Sequence, residues 1–410
     1  DRRQRQMCIR DSAYCEQGAT DSYSPSERST LAESLNKLRD AYYAEGDVEY
    51  AGRYLFSGYM TDTPLTYQSD ETAAKADFTI TQEFTRENIE LKTVYTNAYS
   101  NDDILNLNVK TDAATGNVIT PNVADVHRVR IGYTKVSDAG TFEIKLNDGT
   151  TIAAAAVNDS NYQPGDDEAA FNAATGEILL GENVYKQLYA SDGFSFTYRK
   201  DNFAKGDLNP VMYYDCVDNN PDNAGVVYTK KTEDIEYNIN FSQKLKVNTE
   251  ANEVFNMYLG RDIDDLITSV NNVIDIEAQL EKVDGMLKQD IYSDKDSQSK
   301  LNSIKEGLTK QNELAKEEMK NRFEYCVGTM QGYQEQASLA KADAGNRMTR
   351  LNLTKSRLTE QKTNFTNLKS ENEDIDLEEV VVGYSAAQLV YNASLTAASK
   401  VIQQTLLDFL

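Results

Sequence analysis

The chain has 410 residues, and its 66 Asp and Glu against 42 Lys and Arg give a formal net charge of −24 at pH 7. That balance excludes the basic surface that nucleic acid requires and fits a soluble protein that repels its own copies before assembly. A hydrophobic content of 40% is enough for folded cores, the length allows about two to four domains, and no apolar run is long enough to insert in a membrane.

Residues 1–12, Asp1-Arg-Arg-Gln-Arg-Gln-Met-Cys-Ile-Arg-Asp-Ser12, are basic in an acidic chain. They resemble translated adapter sequence and are expected to be an artefact, with the natural protein continuing upstream. A helical piece is expected over 13–19. Ser24-Pro25-Ser26-Glu27 then reads as a helix start, with Ser24 as N-cap, Pro25 at the first helical position and Glu27 closing a capping box. Leu31, Leu35, Leu38 and Tyr42 follow on one face. Gly52-Arg-Tyr-Leu-Phe-Ser-Gly58 reads as a strand entering a turn, and Thr61-Asp-Thr-Pro64 as its exit.

The middle of the chain carries period-two patterns. Phe78–Phe84, His127–Tyr133, Phe194–Tyr198 and Ile235–Phe241 alternate, and Thr141–Leu146 leads through Asn147-Asp-Gly149 into Thr150-Thr-Ile152 as a hairpin. Loops rich in Asn, Asp and Gly separate them. The residues over 65–247 are therefore expected to form an inserted, mostly antiparallel β domain.

No proline follows Pro221, so long helices belong to the last part of the chain. Ile263, Ile267, Val270, Ile274, Leu280, Val283 and Leu287 make one helical face, and Asp294–Ser299 reads as a charged turn. Leu301, Ile304, Leu308, Ala315, Met319, Phe323, Cys326 and Met330 continue into Tyr333, Ala337, Ala344, Leu351, Leu358, Phe365 and Leu368. That run predicts one helix of about 70 residues, roughly 100 Å long, which calls for a bundle or coiled coil. A polar break at Ser370–Asp374 precedes a second start signal, Asp376 with Glu379.

The tail is the most informative segment. Leu377, Val381, Tyr384, Tyr391, Leu395, Ala398, Ile402 and Phe409 recur at helical spacing, with Gln388 as the polar exception, and Val380, Leu389, Val401, Leu406 and Leu410 widen the stripe. Terminal residues usually fray and read as polar, so this stripe is expected to be an assembly surface buried by partner helices. The fold class is α+β, an elongated helical bundle or coiled coil with an inserted β domain and a terminal amphipathic helix. The expected division is 13–64 and 248–370 as two parts of one helical core, 65–247 as the insertion and 371–410 as the assembly helix.

Three stretches carry a family resemblance. Gly52-Arg-Tyr-Leu-Phe-Ser-Gly-Tyr-Met-Thr-Asp-Thr-Pro64 lies after the N-terminal helix. Ala344-Gly-Asn-Arg347 with Leu351 and Leu358 lies on the long helix. Ser394–Leu410 ends in Leu406-Leu-Asp-Phe-Leu410. Together they resemble the hook-associated protein 3 (FlgL) family of flagellar hook–filament junction proteins, in the flagellin superfamily, over about 13–65 and 261–410. The insertion matches in position alone. The resemblance implies an extracellular component of the bacterial flagellum that leaves by type III export. Its partners would be copies of itself in a ring, hook-associated protein 1, flagellin, and an export chaperone over the C-terminal helix. It also implies an upstream helix, absent from this sequence, that pairs with the tail and carries the export signal. Flagellin itself is the alternative reading.

Chemistry is not where the sequence points. Cys8, Cys15, Cys216 and Cys326 form no CxxC and no disulfide framework. His127 has no partner histidine and is expected on a strand surface. Asp102-Asp103 and Asp166-Asp167-Glu168 are paired carboxylates in what read as solvated loops. Asp218-Asn-Asn-Pro-Asp222 lacks the Gly and Glu of a calcium loop. No enzymatic activity, cofactor or metal is expected. A secreted enzyme on a helical stalk would need convergent carboxylates around a desolvated His127.

Overall fold

The computed structural model describes residues 24–230, 234–240, 243–374 and 376–407; the expected helix over 13–19, the stretch 1–12, Cys8 and Cys15 lie outside them. The first helix, α1 (Pro25–Ala44), starts as its residues dictate. The Glu27 amide donates to Ser24 Oγ at 3.4 Å, and the Ser24 amide donates to Glu27 Oε2 at 2.7 Å. Leu31, Leu35 and Tyr42 are buried along its inner face. The 3-10 turn that follows it, Glu45–Asp47, holds Gly46, where a Cβ would come within 2.1 Å of the Leu65 side chain.

The segment after it corrects the expected strand over 52–58. Two short strands, β1 (Glu49–Tyr50) and β2 (Arg53–Tyr54), pair antiparallel in the register Glu49↔Tyr54 and Tyr50↔Arg53. Ala51 and Gly52 form the two-residue turn, both at positive φ (53° and 76°), the geometry that matches strand twist. Phe56 then packs edge-on to Phe255 at 5.1 Å between ring centroids.

The insertion is a ten-stranded sheet. In chain order its strands are β3 (Phe78–Phe84), β4 (Ile89–Thr96), β5 (Asn122–Arg130), β6 (Phe142–Leu146), β7 (Thr151–Ala156), β8 (Ala169–Asn172), β9 (Glu177–Leu180), β10 (Phe194–Lys200), β11 (Asp215–Asp218) and β12 (Val227–Tyr228). They lie side by side as β12-β11-β3-β10-β6-β7-β8-β9-β5-β4. Every neighbouring pair is antiparallel except β7 with β8. The β6–β7 hairpin turns at Asn147-Asp-Gly149 as expected, with Gly149 at φ 90°. Short helices α2 (Asp70–Lys75), α3 (Asn101–Leu105) and α4 (Glu182–Ala190) decorate the sheet. Phe171, Phe194 and Phe196 are buried at its centre.

A small two-stranded sheet, β13 (Glu236–Asn240) with β14 (Gln243–Lys246), and one helical turn, α5 (Ala251–Val254), lead into the long helices. Helix α6 (Met257–Leu287) is capped by Asn256. It buries Leu259, Ile263, Leu266, Val270, Val273, Ile276 and Val283. Helix α7 runs for 79 residues, Lys295–Glu373. The expected turn over 294–299 is shorter than that. Asp294 already caps α7, accepting from the Ser297 amide at 2.9 Å, and a 3-10 turn at Asp290–Tyr292 makes the reversal.

Helices α6 and α7 pair antiparallel, because Asp284 meets Lys305, Glu277 meets Lys316 and Asp262 meets Tyr333. Helix α1 packs on the same bundle. Tyr42 donates to Val254 O at 2.9 Å, Tyr43 to Asn256 O at 2.8 Å, and Arg39 pairs with Asp264 at 2.7 Å. The N- and C-terminal helical segments thus cover each other, and the class is α+β with an inserted, mostly antiparallel sheet.

The sheet is joined to the bundle by buried charge as well as by apolar packing. Arg128 and Arg130 lie two apart on β5 and are almost fully buried. The expected alternation over His127–Tyr133 would have put them in solvent. Instead Glu90 of β4, Glu177 of β9, and Asp262 and Asp265 of α6 surround them.

The described residues fall into two compact units, one within 24–235 and 246–344 and one within 236–245 and 345–407. The first holds the ten-stranded sheet, α1, α6 and most of the buried core. The second holds the β13–β14 pair and the last helix, α8 (Leu377–Leu407).

Candidate assembly surface

Asp376 organises the start of α8. Its carboxylate accepts from the amides of Glu378 (2.9 Å) and Glu379 (3.4 Å), satisfying two of the donors every helix start leaves open. The acidic Glu378 and Glu379 complement the positive end of the helix dipole. From there the helix runs 31 residues.

Among the described side chains of α8 none is buried. Leu377 is 77% exposed, Tyr384 68% and Leu395 52%, and Val381, Tyr391 and Ala398 are exposed with them. Ile402 and Leu406 are on the helix, but their side chains, and Phe409 and Leu410 altogether, lie outside the described residues. At about 100° per residue the stripe from Leu377 to Ala398 occupies one side. Val382 and Leu389 sit roughly 120–140° round from it, and Val390 and Val401 fall between these on the remaining side; all four are exposed.

A single seam does not include Val382 and Val390. Their signal is the run Val380-Val-Val382 and the pair Leu389-Val390, which no single helical face can absorb. A helix apolar on most of its circumference has more than one face to cover. Burying each such Leu or Val side chain would contribute about 1.5–3 kcal/mol.

The C-terminal part of α7 has the same character. Leu351, Leu358 and Phe365 recur every seven residues and are exposed, Phe365 at 70%. A seven-residue apolar repeat is the pattern of a coiled-coil seam.

The candidate chemical groups are dispersed. Asp103 is corrected from a solvated loop to the first turn of α3, where it is buried. It accepts from the Ser100 amide at 2.9 Å and pairs with Lys110 at 2.9 Å. Burial alone would raise its pKa, but Lys110 and Ser100 outweigh that and hold the carboxyl below its ordinary range. Glu168 accepts from the Tyr162 hydroxyl and the Gly165 amide, which lower its pKa. His127 stacks on Tyr185 at 3.5 Å and lies 3.7 Å from Glu182. Partial burial pushes its pKa down, partly offset by Glu182.

Cys216 and Cys326 are buried thiols, and burial beside Asp215 and Asp218 pushes Cys216 up to about 12. Among the described residues no group of three His, Cys, Asp or Glu could hold a metal ion, and no helix is long and apolar enough to cross a membrane. A cleft of about 970 Å³ between sheet and bundle is lined by charges of both signs, among them Lys200, Arg261, Asp264 and Arg322. Lys200 is used structurally there, donating to Thr134 O and Lys135 O at 3.0 and 3.2 Å.

No protein-family model and no curated protein sequence matches the chain. Among solved structures it is similar to Xanthomonas campestris FlgL, at 12% identity over 90% of each chain with a TM-score of 0.31. It is also similar to the flagellar junction protein FlgL of Legionella pneumophila, at 12% identity over 86% of this chain and 88% of that one with a TM-score of 0.24.

Proposed function

We propose that this chain is a structural component of the bacterial flagellum, a hook–filament junction protein. The observation that carries the reading is α8, whose apolar residues are exposed on most of the helix circumference. The resemblance of Gly52–Pro64 and of the Leu406–Leu410 ending to the junction family points the same way. In this reading 13–64 and 248–370 form the helical core, 65–247 is the projecting insertion, and 371–410 is the assembly helix. Leu377, Val381, Tyr384, Tyr391, Leu395, Ala398, Ile402, Leu406, Phe409 and Leu410 form the interface.

The mechanism is geometric. Head-to-tail contacts between copies close a ring, because a heterologous interface that does not close grows into a filament. The neighbours along the axis are hook-associated protein 1 on one side and flagellin on the other. The setting is extracellular after type III export, and a cytoplasmic chaperone covers α8 before export. The test is to mix the full-length protein with filament seeds. A finite layer on the seed ends is the expected result, and unlimited homopolymer growth would assign the chain to flagellin instead.

A further inference from the structure

The charged groups between sheet and α6 form a closed lattice, which the assembly reading does not use. Arg128 and Arg130 project from one face of β5, as residues two apart on a strand do. Asp262 and Asp265 project from one face of α6, as residues three apart on a helix do. Asp265 Oδ2 takes a bond from each arginine, 2.6 Å from Arg128 and 3.3 Å from Arg130. Glu90 takes one from each as well, at 3.2 and 2.7 Å.

Asp262 holds Arg130 at 2.7 Å and accepts from the Tyr333 hydroxyl of α7 at 2.7 Å. Glu177 holds Arg128 and Lys92, and Lys92 also donates to Ser160 O at 2.9 Å. Side-chain exposure is 2% for Arg128, 3% for Arg130 and 1% for Asp262. Two contacts outside the lattice tie segments next to the sheet to the helices. Tyr214 meets Met257 at one, with its hydroxyl 2.8 Å from the sulfur, and Tyr99 lies against Gly307 at the other.

Such a lattice is a poor source of net stability, because desolvating the ions offsets their attraction. It is also imperfect, since Nε of both arginines lacks a partner. What it supplies is selectivity of position. A slip of one helical turn, about 5.4 Å, would part both guanidinium groups from Asp262 and Asp265, leaving Arg130 with Glu90 and Arg128 with Glu90 and Glu177. Each arginine has carboxylates from both the sheet and the helix, so the loss of one bridging carboxylate weakens both at once.

We propose that the lattice is a register lock. It holds the β4–β5–β9 edge of the sheet at one setting on α6, and it opens as a unit while the contacts at Met257 and Gly307 stay closed. Hydrogen exchange of the whole chain, read by mass spectrometry, tests this on Asp265→Asn. The amides of β4, β5, β9 and the turns of α6 that carry Asp262 and Asp265 are expected to exchange at least about tenfold faster, and those of β3, β6 and β10 to keep their rates.

Tyr333→Phe removes one hydroxyl from Asp262 and leaves every charge in place. It is expected to give a rise of about two- to threefold on the same amides, and it decides the matter if Asp265→Asn does not fold. Unchanged protection at this edge in the folded variants overturns the lock, and so does a rise shared equally by β3, β6 and β10.

Discussion

Helices α6 and α8 are each 31 residues long, and each carries apolar side chains at helical spacing. In α6, Ile263, Val270 and Val273 are fully buried; in α8, Leu377, Tyr384 and Leu389 are mostly exposed. The local code is the same and the outcome is opposite. Periodicity specifies which residues share a face, and a partner decides whether that face is covered. Helix α6 finds its partners in α1, α7 and the sheet. In the proposed reading α8 finds them in other molecules.

The sharpest way to break the comparison is to place one charge in each helix. Ile263→Asp should abolish the cooperative fold of its unit, a loss of at least about 4 kcal/mol for an unpaired buried charge. Leu395→Asp should leave the thermal unfolding midpoint of the monomer unchanged and prevent assembly. Normal motility in cells carrying Leu395→Asp in the full-length gene would remove the distinction.

A milder pair lies within α7 itself. Phe323 is fully buried and Phe365 is exposed. Phe323→Ala should cost about 3–5 kcal/mol in denaturant unfolding, and Phe365→Ala less than about 0.5 kcal/mol.

Acid should act on the first unit through its lattice. Burial alone would raise the Asp265 carboxyl, but Arg128 and Arg130, with Arg261 and Arg322, overcome it and hold the group far below the usual range; Glu90 and Glu177 complete its surroundings. Glu177 is raised by burial and lowered further by Lys92 and Arg128. Both folded values lie below the unfolded ones of about 4, so as pH falls the unfolded chain takes up these protons first. The stabilisation is complete above about pH 5 and drains away as pH falls toward the folded values. Asp265→Asn should flatten this acid limb of the stability curve, and Phe365→Ala should leave its slope unchanged.

The smallest effects should differ in sign. A Cβ at Gly307 would come within 2.2 Å of the Tyr99 ring, and one at Gly383 would meet nothing within 4 Å. Gly307→Ala should destabilise by about 1–3 kcal/mol through overpacking. Gly383→Ala should favour the helix by about 0.5–1 kcal/mol. A peptide of residues 371–410 should show little helical circular dichroism in dilute buffer, because an isolated amphipathic helix cannot bury its stripe, and Gly383→Ala should raise that signal slightly.

Much of this architecture is legible in short windows of the chain. The Ser24–Glu27 capping box, the Asp148-Gly149 hairpin turn and the reversal between α6 and α7 rest on neighbours a few residues apart. Strands β8 and β9 escaped notice because all four residues of each are buried, so neither alternates. Strand β7, Thr-Ile-Ala-Ala-Ala-Ala, is built from a helix former and holds its place through pairing with β6 and β8. Val382 and Val390 are legible in the runs Val380-Val-Val382 and Leu389-Val390, but they lie on other sides of the helix from the single stripe.

The linear order of residues by itself determined where α1 and α8 begin, that a helix of some 70 residues or more follows α6, and that the tail is apolar at helical spacing. Caps, turns and periodicity act within a turn or two of backbone, so they need nothing from the rest of the chain. Only the tertiary structure decided that Arg128 and Arg130 point into a buried lattice, that β7 and β8 run parallel, and that Phe323 is covered while Phe365 is exposed. These outcomes depend on which distant segments meet, and burial is a property of that meeting.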